Sequence, residues 1–134
     1  MVKMDVVYQG HLHCELTHGP SKTKIQTDAP TDNMGKGESF SPTDLVGAAL
    51  GSCVLTTMAI VAERDKIAFS TARATVEKVM NEKPRRVASL AMKITLPASL
   101  TTEQRRKLEE TAKHCPVHKS LHPDVQMPMV FEYV

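Results

Sequence analysis

Residues 11–16 alternate strictly: Leu12, Cys14 and Leu16 point one way, and His11, His13 and Glu15 point the other. That period of two is the mark of a half-buried strand, and residues 4–17 (MDVVYQGHLHCELT) are read as one strand. HGPSK is a turn built on Gly19-Pro20. Residues 22–27 (KTKIQT) make a second strand, so the chain opens with a hairpin. DAPTDNMGKGESF, rich in Gly, Asp, Asn and Pro, reads as a loop. The pattern then changes. From Leu45 to Ala62 there are 18 residues without a charge. Ser41 can cap a helix there, Pro42 suits its first position, and Asp44 lies in the first turn, where the dipole favours a carboxylate. This helix is expected to run to about Asp65.

Two more strands follow, at roughly 69–80 and at 86–96 (RVASLAMKITL). In the second, Ala88, Leu90, Met92, Ile94 and Leu96 share one face. Thr101 with Gln104 forms a capping box for a helix through about His114. VQMPMVFEYV alternates as Val125, Met127, Met129, Phe131 and Tyr133, with Pro128 suited to an edge or a bulge. The order ββ-α-ββ-α-β predicts an α+β protein with a mostly antiparallel sheet and a single domain over residues 1–134.

The long helix needs a decision, because 18 uncharged residues approach the length of a membrane span. It holds Gly47, Gly51, Ser52, Thr56 and Thr57, and has neither an aromatic belt nor a basic cluster on one side. The expectation is no membrane. A helix apolar all round is instead the buried centre of a domain or a dimer. Its small residues, Gly47, Ala48, Gly51 and Ser52, permit close approach, so a homodimer that buries it from both subunits is predicted.

Composition narrows the function. A chain of 134 residues with 41% apolar and 24% charged residues is an ordinary globular domain. A net charge of +2, with 4% aromatics and no Trp, gives no footprint for nucleic acid. The start, MVKMDVVYQG, has no apolar signal region. Three cysteines without that context predict a reducing, cytoplasmic setting with no disulfide framework.

The cysteines carry the candidate chemistry. Cys14 lies on the core face of a strand and reads as packing. Cys53 interrupts the apolar helix. Cys115 follows a stripe of Leu108 and Ala112 and precedes Pro116. It either ends one helix or caps a short new one, and only the second case would lower its pKa. His114, Cys115, His118 and His122 fall within nine residues, a donor set that suits zinc, although the spacing matches no closed zinc motif. His11 and His13 read as a solvated pair.

The run SPTDLVGAALGSCVLTTMAIVAE, followed some sixty residues later by HCPVHKSL, resembles the OsmC/Ohr family of thiol peroxidases. The loop GKGESF resembles a third, less characterised branch of it. The resemblance covers the whole chain and implies the OsmC-like fold as an intertwined dimer. It also implies a hydroperoxide reductase without a cofactor or metal, active in oxidative or osmotic stress defence. Cys53 matches the peroxidatic position and Cys115 the resolving one: the first becomes a sulfenic acid, the second traps it as a disulfide, and a dithiol reductant restores both. Organic hydroperoxides are the implied substrates. In the better-known branches an arginine, held by a helix glutamate, activates the thiol. Here no arginine precedes Arg64, the glutamate position is Thr43, and Asp44 is its neighbour, rotated by about 100°. Asp44 is thus the candidate catalytic carboxylate, with Lys22, Lys24 or Lys36 as its cation. A lysine lacks the planar fork of an arginine, which predicts a weaker activating pair. A dimer that binds an apolar ligand without turnover is the alternative reading.

Overall fold

The computed structural model describes residues 1–134, which divide into two compact units, residues 1–46 and 47–134. The first unit is an antiparallel sheet in the order β1 (Met4–Gly10), β2 (His13–His18), β3 (Lys24–Asp28), followed by a loop with one 3₁₀ turn at Thr31–Asn33. The single strand expected over 4–17 is in fact two. His11 and Leu12 both take positive φ (51° and 64°), and Gly10 pairs with His13 across them. That is the backbone of a two-residue primed turn, whose twist matches the strands it joins. Neither His nor Leu is a usual residue for it, so the alternation ran through the turn unbroken. Beyond it, Cys14 and Leu16 do lie opposite Thr27 and Ile25 of β3.

Helix α1 (Pro42–Arg64) starts where the cap residues predicted and ends one residue short of Asp65. The amide of Ser41 donates to Asp44 Oδ2 (2.9 Å), and the amide of Asp44 donates to Ser41 Oγ (3.0 Å). This is a reciprocal capping box with aspartate in the glutamate role. By length and composition alone α1 could cross a membrane. Here Gly47, Leu50, Gly51, Val54, Met58 and Ala62 are buried as one stripe. A Cβ on Gly51 would stand 2.9 Å from Val76, and one on Gly47 would stand 3.3 Å from Leu90, so the helix lies close on the second sheet. Within one chain the burial is one-sided: Ile60, away from the stripe, is 63% exposed, and the expected burial from both subunits concerns that side.

The second unit's sheet pairs β4 (Arg73–Glu82) antiparallel to β5 (Arg85–Leu96), and β6 (Met129–Tyr133) parallel to β5. Leu90, Met92, Ile94 and Leu96 are buried together, as their alternation predicted. Between β5 and β6 run α2 (Thr102–Ala112) and the short α3 (Pro116–Ser120). The Thr101–Gln104 capping box is present. Arg105 fixes the start of α2 by donating to the carbonyls of Ala98 (2.8 Å) and Leu100 (3.0 Å). Its guanidinium also stacks 4.0 Å from the centre of the Tyr133 ring. Glu109 accepts the Tyr133 hydroxyl, and burial pushes that phenol's pKa upward. The far end of α2 is thereby held against β6, and that end delivers Cys115.

Candidate active site

Cys53 lies in the middle of α1 and is half-buried; Cys115 is fully buried. The stripe that places Cys115 is Leu108, Ala112 and Cys115, each 0% exposed, so the turn after α2 keeps the apolar face of the helix. The chain then restarts. Cys115 is the N-cap of α3, Pro116 holds the first helical position, and Cys115 Sγ accepts the amide of His118 at 3.2 Å. Of the two arrangements open to Cys115, the structure takes the capping one.

The cap does not win the electrostatics. Burial pushes the Cys115 thiol above its ordinary pKa; the amide of His118 pulls it down, and the neighbouring Cys53 pushes it up again. A thiolate inside an apolar pocket loses its hydration, and one capping turn does not replace that. Cys115 is therefore a thiol at neutral pH. The two thiols are thus near enough to act on one another, although their residues are 62 apart in sequence. Cys14 is a free, half-buried cysteine on β2 of the first sheet.

His118 is shared with an open cleft of about 450 Å³, also lined by Lys113, Met127, Pro128 and Met129. The sequence read the two methionines only as strand alternation. In the structure β6 begins after Pro128, whose carbonyl accepts the amide of Met92 at 2.8 Å.

The remaining candidates have partners of their own. Asp44 is engaged in capping α1. Lys24 pairs with Glu15 at 2.9 Å. Of the histidines around Cys115, His114 Nδ1 sits 2.8 Å from the carbonyl of Glu110, and His122 Nδ1 accepts the amide of Asp124 at 3.1 Å. His114, Cys115, His118 and His122 are not the residues that converge as a metal-ligand group; that arrangement falls elsewhere in the chain.

The family model described as OsmC-like protein matches residues 35–128, from the loop before α1 to the cleft. The chain belongs to the OsmC-like family. It is similar over 98% of its length, at 42% identity and with a TM-score of 0.93, to a Psychrobacter arcticus 273-4 protein named as a candidate osmotic stress induced and detoxification response protein, 96% of which is covered. The OsmC organic hydroperoxide resistance protein of Legionella pneumophila shares the fold at a TM-score of 0.80 and 17% identity, covering 100% of this chain and 97% of that one. The organic hydroperoxide resistance protein OhrB of Bacillus subtilis does so at 0.70 and 15%, with 98% of each chain covered. No curated protein matches it in sequence. The OsmC-like α+β fold expected from the motifs is thus the fold found.

Proposed function

We propose that this OsmC-like protein is a thiol-dependent peroxidase for organic hydroperoxides, with Cys53 as the nucleophile and Cys115 as the resolving thiol. The observation that carries this reading is the influence of the Cys53 thiol on that of Cys115 across 62 residues of sequence. Their different surroundings divide the roles. Cys53 is half-buried, so a small peroxide can reach it; Cys115 is sealed and protonated, so it waits. The thiolate of Cys53 attacks one peroxide oxygen and the O–O bond breaks. The alkoxide leaves and takes up a proton, which yields the alcohol and a Cys53 sulfenic acid. Cys115 then attacks that sulfur, water departs, and a disulfide forms. A dithiol supplies the two electrons that restore both thiols. The cleft beside His118, with Met127 and Met129 in its wall, suits the alkyl part of the peroxide. The reductant requirement fits a reducing compartment, the cytoplasm, and the working form is a homodimer.

The test is one equivalent of cumene hydroperoxide added to reduced protein, followed by a thiol count and peptide mapping. Loss of two thiols per chain, with a Cys53–Cys115 peptide that dithiothreitol releases, is the expected result. A Cys53 still titratable after excess peroxide overturns the reading and leaves a binding module for an apolar ligand.

A further inference from the structure

We propose that His13, Asp28 and Glu38 form a binding site for a divalent transition-metal ion. The site is made within residues 1–46. His13 opens β2 and stands directly opposite Asp28, the last residue of β3. The loop after β3 then folds back on it. The amide of Asp28 donates to the carbonyl of Phe40 (3.1 Å), and that of Gly35 to Pro30 (3.0 Å). Gly35 has no room for a Cβ, which would stand 1.6 Å from the carbonyl oxygen of Ala29, and Gly37 takes a φ of +64°. The GKGESF run, which the peroxidase chemistry leaves without a role, is the segment that brings Glu38 to His13 and Asp28.

The distances fit an ion better than a network of protein hydrogen bonds. His13 Nε2 lies 3.6 Å from Asp28 Oδ1 and 3.5 Å from Glu38 Oε2, and the three ligand atoms lie within 4.8 Å of one another. Donors held at about 2.0–2.2 Å around a tetrahedral ion are themselves about 3.3–3.6 Å apart. A hydrogen bond would need them closer. Asp28 adds an independent sign. Its side chain is 1% exposed, and its Oδ2 accepts the amide of Glu38 at 3.0 Å, yet its buried Oδ1 has no hydrogen-bond partner. A carboxylate oxygen buried without a donor is costly, and a cation beside it removes the cost.

One imidazole and two carboxylates are borderline-to-hard donors. The two spacings from His13 favour zinc or cobalt over magnesium, whose adjacent octahedral ligands stand about 2.9 Å apart. Glu38 is 57% exposed, which leaves the ion a route from solvent and a fourth position for water.

The probe is Co²⁺ titrated into chelator-treated, reduced full-length protein and followed by its visible spectrum. Expected is one equivalent per chain with ligand-field bands and no thiolate-to-cobalt charge transfer. His13→Gln and Glu38→Gln should each weaken binding by more than about tenfold, because loss of even an outer partner of a metal ligand costs about 10–100-fold. Glu38 is exposed, so its variant tests the site without endangering the fold. Three results overturn the proposal: no saturable binding, a thiolate charge-transfer band as the only signal, or unchanged affinity in a folded Glu38→Gln protein. None of these depends on turnover, so the metal site can fail while the peroxidase reading stands, and the reverse.

Discussion

A serine hydroxyl cannot replace a thiolate in breaking an O–O bond, so Cys53→Ser should abolish peroxide consumption. Cys115→Ser should complete one turnover and stop with a Cys53 sulfenic acid that dimedone traps. The environment of Cys115 adds a pH dependence. Burial raises its pKa, so at neutral pH it lies far on the thiol side and its thiolate fraction grows about tenfold per pH unit. Disulfide closure, followed by rapid quench and thiol labelling, should therefore accelerate steeply between about pH 7 and 9. A flat profile would mean that another group deprotonates Cys115. Asp44 separates two roles. Its carboxylate sits in the first turn of α1, and on that account Asp44→Asn should cost about 0.3–1 kcal/mol in denaturant unfolding with turnover intact. A loss of turnover beyond about tenfold, with little change in stability, would instead make it part of the activating pair. The sequence pointed to Cys53 and Cys115 only through paired motifs, because a 62-residue separation has no periodicity to read. His13 shows the opposite limit. Alternation put it opposite in face to Cys14, but its partner Asp28 arrives by the pairing of β3 with β2, and Glu38 through a loop whose path rests on Gly35 and Gly37.

Elements were legible where a local rule acts alone. Ser41–Asp44 and Thr101–Gln104 announce their helix starts, and the alternation of β5 names its buried face. Two failures have physical causes. The β1–β2 turn uses His11 and Leu12 at positive φ, a conformation that side-chain propensity disfavours. The parallel pairing of β6 depends on where the crossover through α2 and α3 lands, and alternation is blind to strand direction. The contact between α1 and the sheet offers a sharper test. Gly51→Ala gains about 1 kcal/mol of helix propensity, while its Cβ would stand 2.9 Å from Val76 Cγ2. Overpacking of that kind costs about 1–3 kcal/mol. The net expectation in urea unfolding is a loss of up to about 2 kcal/mol, with the loss relieved in Gly51→Ala/Val76→Ala relative to the sum of the single changes. Cys53 sits two residues further along α1, so the same variant should also slow disulfide closure. Additive energies would mean that helix and sheet are less tightly apposed than this contact implies.

At the scale of the whole molecule, the chain leaves apolar surface open, and a homodimer that covers it is the expectation to test. Met4, Val6, Val7 and Tyr8 of the edge strand β1 are each more than half exposed, on both faces of the strand. Ile60 is 63% exposed on a helix that a solvated position would have made polar. Natural proteins blunt edge strands with charge or cover them, and β1 carries only Asp5. A second copy of the chain covers such surfaces without a new sequence, and a two-fold interface needs only one self-complementary patch. Sedimentation at micromolar concentration should therefore give twice the 14.8 kDa chain mass. Ile60→Glu places a charge on the side of α1 away from its buried stripe and should shift the equilibrium toward monomer by at least about tenfold, since an unpaired charge at an apolar contact costs several kcal/mol. A wild-type chain that sediments as a folded monomer would refute the dimer. Cys53 and Cys115 belong to one chain, so a folded monomeric Ile60→Glu protein should still form its disulfide with one equivalent of peroxide. If monomerisation removes that reaction too, the partner subunit must supply the charge that activates Cys53, and the interface is part of the active site.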